Sequence, residues 1–408
     1  MNFPDPPAAG ATATAPRRLS SRQRHSAALD IARRGLRLVT THTNEQADAI
    51  MERPAAVYLD PERHDREVEA LFLRRPIFAA LSAEIPLPGS YKTLDVARAP
   101  VVITRQQDGT LRAFLNICRH RGAAVAYGHG TARVFVCKYH GWAYGLDGGL
   151  EKVRSGDNFG PLDTSCFGLT EVAVAERYGL VYVRATPLRV NASPIDIDDA
   201  LGGLAPHFRE WGFEAGLAAP QIHDPVVTRS NWKLAVDGYL EPYHFASLHK
   251  TTVARYNNSN QATFDAYGVN GVSGFLGRKI HELANTPEDE WPLMRHVQVI
   301  YLLFPNVILS VMQDHVEYSQ IMPGPAVDSN VMHHLYFRYP EWDAEEVHAK
   351  RFLNTQWILT EEDIPMAEEV HRNLLSGGMP TLVFGRNEPA LQHQHRSIDQ
   401  VLRETERE

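Results

Sequence analysis

The sequence predicts an α+β protein in which a small all-β domain precedes a larger domain built on an antiparallel sheet. Between residues 76 and 185 the apolar segments are short and strand-like, and an Asp-Gly turn at 108–109 separates two of them, as in a hairpin. Residues 297–339 alternate in the manner of antiparallel strands. Residues 195–211 and 344–375 have helical composition, so we expect helices packed on a sheet in the second half.

Composition narrows the function classes. The chain has 408 residues, is 44% hydrophobic and has a formal charge of −8, which argues against nucleic acid as the main partner. Three cysteines are too few for a disulfide scaffold, so we expect a reducing, cytoplasmic location. No apolar run approaches the roughly 18 residues of a membrane-spanning helix, so we expect no membrane association.

The N-terminus is rich in arginine. Met1–Pro16 has the composition of a loose arm, and seven arginines against one acid lie between Arg17 and Arg37. An organelle transit peptide would look similar. The alternative is an arm followed by an amphipathic helix, Ala27–Leu38, that docks on the body. We therefore divide the chain into an N-terminal arm and helix (1–57), an all-β domain (58–185) and an α+β domain (186–408).

Local signals place further elements. Asp60 is a good N-cap, and Pro61 fits the first position of a helix. Val226–Trp232 is strand-like, and Leu234–Lys250 is helical by composition. The glycine-dotted segment Gln261–Gly277 is predicted to be a loop or an edge strand.

Two Cys-His pairs form the strongest signal in the chain. Cys118 and His120 follow one predicted strand, and Cys137 and His140 follow another. Two thiolates and two imidazoles can hold zinc, or a [2Fe–2S] cluster with both cysteines on one iron and both histidines on the other. A Cys2His2 finger groups cysteine with cysteine and histidine with histidine, whereas here each pair is mixed.

The mixed pairs resemble the Rieske [2Fe–2S] motif. Asn-x-Cys-x-His-Arg-Gly at 116–122 and Cys-x2-His-Gly-Trp at 137–142 are similar to the form found in the large (α) subunits of Rieske-type ring-hydroxylating oxygenases. The resemblance implies that Cys118 and Cys137 bind one iron of the cluster, and that His120 and His140 bind the other. Cys166 lies outside the motif and is predicted to be a buried small hydrophobic residue.

A second histidine pair lies in the α+β domain. His244 and His249 are five residues apart, which corresponds to about 140° on an ideal helix, so they can converge only at a helix end or a π-type distortion. A non-haem iron site needs a carboxylate as well, and leaves positions open for O2. The acidic segment at 361–369 is a candidate source, although acids also favour any helix N-terminus.

The same family resemblance favours an iron site at this second place. Asn-Trp-Lys at 231–233 followed by Asp-x3-Glu-x2-His-x4-His resembles its mononuclear iron motif, which implies His244, His249 and Asp363 as iron ligands, with Glu361 and Glu362 as rivals for the carboxylate. It also implies catalytic roles for Asp237 and Glu241. In the family an Asp at the position of Glu241 bridges a cluster histidine of one subunit to an iron histidine of the next.

The resemblance, which covers roughly residues 58–380, implies a helix-grip catalytic domain, a [2Fe–2S] cluster, mononuclear Fe(II) and a homotrimer. It implies a terminal oxygenase that hydroxylates, dihydroxylates or demethylates a small, aromatic substrate with O2. Because no Gly-x-Gly-x-x-Gly follows a strand, a separate NAD(P)H-dependent reductase is expected, with or without a ferredoxin. Glu241 resembles the branch that acts on quaternary ammonium compounds, which is the alternative. A non-enzymatic redox or ligand-binding protein is the remote alternative.

The substrate pocket is expected between the iron-binding segment and the strands. An aromatic ring or a methylated amine would suit an apolar, aromatic lining equally. The residues chosen as lining candidates are Tyr239, Phe245, Phe275, Leu302, Val311 and Tyr318.

Overall fold

The computed structural model describes residues 25–189, 193–340 and 345–407. The predicted loose arm, Met1–Pro16, and the arginines before residue 25 lie outside the described residues. The α+β fold class is confirmed.

The strands and helices have the following bounds. The strands of the first half are β1 (Met51–Pro54), β2 (Ile77–Leu81), β3 (Ser90–Val96), β4 (Ala99–Arg105), β5 (Leu111–Leu115), β6 (His129–Thr131), β7 (Val134–Val136), β8 (Ala143–Gly145), β9 (Leu150–Lys152), β10 (Glu171–Arg177) and β11 (Leu180–Pro187). Those of the second half are β12 (Gln221–Ile222), β13 (Val226–Thr228), β14 (Asn257–Tyr267), β15 (Asn270–Gly277), β16 (Val297–Leu303), β17 (Val307–Val311), β18 (His315–Pro323), β19 (Asn330–Arg338) and β20 (Thr381–Phe384). The helices are α1 (Ser26–Thr41), α2 (Ala56–Leu59), α3 (Pro61–Glu67), α4 (Ile197–Leu201), α5 (Ala205–Trp211), α6 (Trp232–Tyr239), α7 (Glu345–Ile358), α8 (Ile364–Leu374) and α9 (Pro389–Thr405).

The all-β part consists of two antiparallel sheets. Within the described residues, one sheet has the strand order β2-β11-β10-β5-β4-β3-β6, and the other has the order β7-β8-β9. The predicted turn at 108–109 does join β4 to β5, which pair from Val101↔Leu115 to Arg105↔Leu111. The loop after β5 and the loop after β7 carry the two Cys-His pairs, so the sheets bring both pairs together.

An antiparallel sheet forms the body of the second half. Its order is β12-β19-β18-β17-β16-β15-β14, and β13 also pairs with β19. The side chains alternate between two separate apolar clusters, because successive residues of a strand point to opposite faces. Ile300 and Ile308 pack with Trp232 of α6 on one face, whereas Tyr301 and Leu309 pack on the other.

Helix α1 covers that second face. Ile31 and Ala32 are buried among the residues of β15 and β16. A Cβ added to Gly274 would lie 2.2 Å from Ile31 Cγ2, so the helix approaches the sheet at a point where a side chain is missing. The docked helix agrees with the predicted amphipathic helix, Ala27–Leu38.

The first domain meets the same face at β18. Tyr318 OH donates a hydrogen bond to Glu84 Oε1 at 2.8 Å and accepts one from Lys92 Nζ at 3.1 Å. Gln320 Nε2 donates to the Phe78 carbonyl at 2.7 Å. Tyr318 and Val311 therefore lie on the face opposite α6. The prediction that these two residues line the substrate pocket was wrong, because their side chains point to the face of the sheet that is turned away from α6.

Two element predictions also needed correction, and one helix was missed. Leu234–Lys250 is not one helix, because α6 ends at Tyr239 and a 3-10 turn, Tyr243–Ala246, follows Pro242. The segment Gln261–Gly277 contains an edge strand, β14, but also an inner strand, β15. Helix α9 was not predicted. No helix among the described residues is long and apolar enough to cross a membrane.

Candidate functional site

The two Cys-His loops have the same backbone design. Four residues after each cysteine stands a glycine with positive φ, Gly122 at +80° and Gly141 at +75°. Each glycine N–H donates to the carbonyl of its cysteine at 2.9 Å. A left-handed conformation at these positions favours glycine, so the equal Cys-to-Gly spacing of the two loops is a geometric requirement.

The side chains of the loops converge on one small core. Cys118 and Cys137 are free and buried, and the rings of His120 and His140 lie 4.5 Å apart. Tyr144 OH lies 3.3 Å from Cys118 Sγ and accepts the Arg119 N–H at 3.0 Å. Burial, together with Cys118, raises the pKa of Tyr144, so its phenol is a donor at neutral pH.

These residues fit a [2Fe–2S] cluster. His120 Nδ1 is buried without a hydrogen-bond partner, as expected of an atom reserved for a metal. Trp142 stacks on the His120 ring at 5.1 Å and shields it. Two thiols and two imidazoles, with one imidazole nitrogen unpaired, are the donor set that a Rieske cluster needs.

Cys166 differs from its prediction. It is exposed and lies near Asp163, whose carboxylate is 3.5 Å from the Cys166 Sγ. The prediction that it is a buried hydrophobic residue was wrong, because a 3-10 turn, Thr164–Phe167, carries the residue outside the sheets.

The end of α6 sets the second histidine pair. After Tyr239 the chain leaves the helix, and His244 and His249 lie on the 3-10 turn and the turns after it. The Leu248 N–H donates to the His244 carbonyl at 2.8 Å, which closes the segment between them. The alternative in which the two imidazoles converge at a helix end therefore agrees with the observed geometry.

The imidazoles meet a carboxylate from the distant acidic segment. His249 Nε2 lies 3.0 Å and His244 Nε2 lies 3.9 Å from Asp363 Oδ1. The ligand atoms of these three residues all lie within 4.8 Å of one another. Two imidazoles and one carboxylate at this spacing fit the facial set of a non-haem Fe(II) centre.

A π-helical turn carries Asp363. Leu359–Asp363 interrupts the path from α7 to α8, within the range 344–375 that was predicted to hold one or two helices. The π distortion considered for the histidine pair thus occurs at the carboxylate segment instead. Such turns commonly mark functional sites, and here the turn separates the directions of adjacent acids.

The outer nitrogen of each imidazole is held by a second carboxylate. His244 Nδ1 lies 2.6 Å from Glu241 Oε1, and His249 Nδ1 lies 2.8 Å from Glu362 Oε2. Thr252 Oγ1 donates to the same Glu362 oxygen at 2.7 Å. With Nδ1 protonated and donating, each Nε2 keeps a free lone pair for a metal.

Electrostatics at His249 follow from these partners. Burial alone would lower the pKa of His249, but Asp363 and Glu362 outweigh it and raise the pKa. Two acids around one buried imidazole form a site that attracts a cation. Glu361 is exposed, so of the two rivals for the carboxylate ligand one points to solvent and the other contacts the outer nitrogen of His249.

Asp237 is a residue of α6 whose carboxylate contacts two buried side chains. Tyr58 OH donates to Asp237 Oδ2 at 2.5 Å, and His395 Nε2 lies 3.1 Å from Asp237 Oδ1. These contacts tie α6 to the N-terminal helices and to α9. The catalytic role predicted for Asp237 stays a prediction.

The sequence analysis missed the residues that hydrogen-bond to the candidate ligands and to Asp237. It treated Glu362 only as a rival ligand, and it did not single out Thr252, Tyr144 or the partners of Asp237. The one available signal was position: Tyr144 stands in the strand that directly follows the second Cys-His loop.

Glu362→Gln should weaken metal binding at the second site. The amide oxygen can still accept the His249 Nδ1–H and the Thr252 hydroxyl, but it carries no negative charge and holds the imidazole more weakly, and loss of such an outer partner typically costs about 10- to 100-fold in metal affinity. Iron titration of the apo second site, followed by iron analysis, measures the change. Glu361→Gln is the matched control, and equal affinities for the two variants would contradict the assignment of Glu362.

Tyr144→Phe should lower the reduction potential of the cluster. A hydrogen bond to a cluster thiolate stabilises the more negative, reduced state, so its removal shifts the potential downward by tens of millivolts. Spectroelectrochemical titration measures this, with Tyr91→Phe as a control whose hydroxyl donates to the Tyr127 carbonyl. An unchanged potential would show that the phenol does not donate to Cys118.

Two family models match the chain. "Rieske [2Fe-2S] domain" matches residues 75–167, which include both Cys-His pairs. "Ring hydroxylating alpha subunit (catalytic domain)" matches residues 209–404, which include His244, His249 and Asp363. The two matches follow one another in the order that the two sites have along the chain.

Curated relatives match over part of their length. The large oxygenase component of the naphthalene 1,2-dioxygenase system of Pseudomonas aeruginosa is 33% identical over 221 residues, which are 53% of this chain and 47% of the relative. The carnitine monooxygenase oxygenase subunit of Escherichia coli (strain K12) is 34% identical over 204 residues, 48% of this chain and 51% of the relative. The chain thus spans about half the length of the curated relatives it matches.

Solved structures share the fold. A quaternary ammonium Rieske monooxygenase in complex with L-carnitine superposes with a TM-score of 0.69 at 21% identity, covering 91% of this chain and 98% of that one. Naphthalene 1,2-dioxygenase from Rhodococcus sp. bound to indole gives 0.67 at 20% identity, covering 92% and 98%. The two family matches agree with the two domains and with the two groups of candidate ligands. In this family the Rieske domain binds a [2Fe–2S] cluster and the catalytic domain binds mononuclear iron. The chain belongs to the large (α) subunits of the Rieske-type non-haem iron oxygenases.

Proposed function

We propose that this chain is the terminal oxygenase component of a multicomponent system. It takes electrons from a NAD(P)H-dependent reductase and uses O2 to hydroxylate, dihydroxylate or demethylate a small organic substrate. The observation that carries the proposal is the convergence of His244 Nε2, His249 Nε2 and an Asp363 oxygen within 4.8 Å of one another. A domain that only bound an apolar ligand would have no use for this set.

The protein residues hold the geometry of the iron site. Iron bound by two imidazoles and one carboxylate supplies O2 activation, because such a facial set leaves open positions. Glu241 and Glu362 fix the tautomer and the orientation of the two imidazoles through their Nδ1 atoms. Phe245 lies against the His249 ring at 5.8 Å and against Phe275 at 5.5 Å, which excludes water from one side.

Electrons would enter through the Rieske domain of a neighbouring subunit. Glu241 is partly exposed, with 13% of its side chain accessible, and it already holds an iron-side imidazole. One of its oxygens contacts His244 Nδ1, and the carboxylate lies close enough to the surface to meet a cluster histidine from another chain. The proposed assembly is a homotrimer that depends on a separate reductase, with or without a ferredoxin.

The aromatic rings beside the iron site suit two substrate classes. Phe245 and Phe275 can pack on an aromatic ring or on the methyl groups of an amine. An aromatic substrate is the first hypothesis. A quaternary ammonium substrate is the second candidate, favoured by glutamate rather than aspartate at position 241.

Oxygen uptake with a surrogate reductase tests the proposal. With NADH present, the protein should consume O2 in the presence of aromatic acids, O-methyl or N-methyl aromatics, or betaine-type amines, and NMR of the product distinguishes dihydroxylation from demethylation. Iron analysis should give three irons per chain. His249→Ala should keep the cluster absorption and lose turnover; a wild-type protein with only the two cluster irons and no uptake would overturn the proposal.

Glu241→Gln should slow electron transfer from the cluster to the iron site. The amide keeps the size of the side chain but loses the charge that links His244 to a partner histidine, so both metals should be retained while single-turnover reoxidation of the reduced cluster slows by orders of magnitude. Stopped-flow absorbance of the cluster under O2 and substrate measures this. Glu290→Gln, at an exposed turn, is the control; full activity of Glu241→Gln would exclude the bridge.

A further inference from the structure

Strand β18 carries a row of polar side chains on the face that meets α6. Val316 and Tyr318 belong to the apolar cluster on the opposite face. His315, Glu317 and Ser319 alternate with them, so their side chains point toward α6. A strand that is covered on both faces normally carries apolar residues on both, so a polar row here needs a physical reason.

The inner end of the row contacts Tyr239, the last residue of α6. Tyr239 OH lies 2.8 Å from Ser319 Oγ, and Ser319 Oγ lies 3.0 Å from Nδ1 of His334, its partner on β19. Burial raises the pKa of Tyr239, and the charge of Asp363 raises it further, so the phenol is protonated at neutral pH. The phenol therefore lies within electrostatic reach of the iron-site carboxylate.

The outer end of the row reaches the surface. The Glu317 side chain is 15% exposed, whereas Ser319 is only 2% exposed. Beside Glu317, His315 Nδ1 lies 2.8 Å from Asp314 Oδ1, and His315 Nε2 lies 3.8 Å from Glu317 Oε2. The row therefore runs from solvent at one end to a buried phenol near the iron site at the other.

One gap separates the outer part of the row from the inner part. Glu317 Oε2 lies 3.6 Å from His334 Nε2, which is too long for a hydrogen bond. Both atoms are buried and lack a hydrogen-bond partner among the described residues, and leaving such atoms unpaired is costly. A movement of about half an ångström brings the two atoms into a hydrogen bond, so ordinary side-chain motion closes the gap.

The charges along the row suit proton transfer. Burial alone would raise the pKa of Glu317, but the neighbouring histidines outweigh burial and lower it, so the carboxylate is ionised at neutral pH. These histidines are His334, His315 and His223. An ionised carboxylate accepts a proton from solvent. The His334 imidazole presents Nε2 to that carboxylate and Nδ1 to Ser319, and a neutral imidazole has one donor and one acceptor nitrogen.

A bound ligand or a metal ion would be another reason for such a row, and the structure argues against both. The cavity beside His334 has a volume of about 10 Å³, which accommodates about one water molecule and no organic group. Among the described residues, the set whose ligand atoms all lie within 4.8 Å of one another is the iron set with Asp363, and the histidines around Glu317 form no such set. A proton requires neither a large cavity nor a ligand set.

We propose that the row and its neighbours on α6 and β19 conduct protons from the surface to the iron site. The path consists of His315, Glu317, His334, Ser319 and Tyr239. The proposal rests on the proposed function, because the consumption of O2 requires protons. For each O2, two electrons from the reductase and two protons from solvent are consumed, whether both oxygen atoms enter the product or one leaves as water. Tyr239 donates the proton where O2 is reduced, and Ser319 and His334 pass on its replacement.

Proton exchange at His334 tests the path without turnover. Protein with an intact cluster and no second-site iron is isotopically labelled at the histidine side-chain nitrogens, and NMR measures how fast the His334 ring N–H exchanges with water; the variant His334→Gln identifies the signal. Glu317→Gln removes the proton acceptor and should slow this exchange about tenfold or more. If that variant does not fold, Glu317→Asp withdraws the acid by one methylene group and should slow the exchange in the same direction. Unchanged exchange in the folded variant would overturn the proposal, and Glu346→Gln, an exposed acid of α7 that pairs with Lys350, is the matched control.

Ser319→Ala tests the inner half of the path. Ser319 lies between His334 and Tyr239, so its loss should not slow proton exchange at His334. In holoprotein with a reduced cluster, however, single-turnover oxidation of an active substrate from the O2-uptake panel should slow about tenfold or more, with a larger solvent isotope effect than in the wild type. Ser319→Thr keeps the hydroxyl and should recover the wild-type rate, which distinguishes a lost relay from lost packing. Wild-type turnover in Ser319→Ala would contradict the proposal, as would equal slowing in Ser319→Thr.

The two proposals fail in different ways. Failure of the proposed function would appear in the wild-type protein as absent O2 uptake and missing second-site iron. Failure of the proton path would leave wild-type O2 uptake and second-site iron intact, while Glu317→Gln and Ser319→Ala oxidise substrate at the wild-type rate and proton exchange at His334 does not depend on Glu317.

Discussion

Each imidazole of the second site is held through Nδ1 by a carboxylate, and the rest of the catalytic domain is arranged to make these two contacts possible. Glu241 reaches His244 because α6 stops two residues earlier and the chain turns at Pro242. Glu362 reaches His249 because a π-helical turn brings the acidic segment across from a remote part of the chain. With both contacts made, the Nε2 atoms of the two imidazoles face Asp363 Oδ1.

The two sites differ in how far local sequence determines them. Each Cys-His loop is specified within a few residues, since a strand end, a cysteine and a left-handed glycine such as Gly122 suffice to build it. The second site joins residues more than a hundred positions apart, and it depends on the sheet and on α6 for its alignment. Residue types and spacing alone predicted a four-ligand site at the first place and left zinc and a [2Fe–2S] cluster open, whereas the second site needed a family motif.

The remaining differences from prediction have physical causes. Adjacent acids on a regular helix point about 100° apart, but the π turn directs Asp363 to Nε2 and Glu362 to Nδ1 of the same imidazole, which spacing rules do not reveal. Tyr318 was assigned to the wrong face because alternation gives a period without its phase. Helix α9 escaped notice because its buried side includes Gln392, Gln394 and His395, which hide the apolar period.

Helix α1 has a consequence for how the domains can be separated. It lies before both family matches, which begin at residues 75 and 209, yet it covers an apolar face of the catalytic sheet. Arg34 fastens it there through Glu45 and Asp265. A fragment cut at the family boundaries would leave the sheet around Gly274 bare, and the exposed face would favour aggregation. The functional unit of the catalytic domain is therefore discontinuous in sequence and extends back to the first described residues.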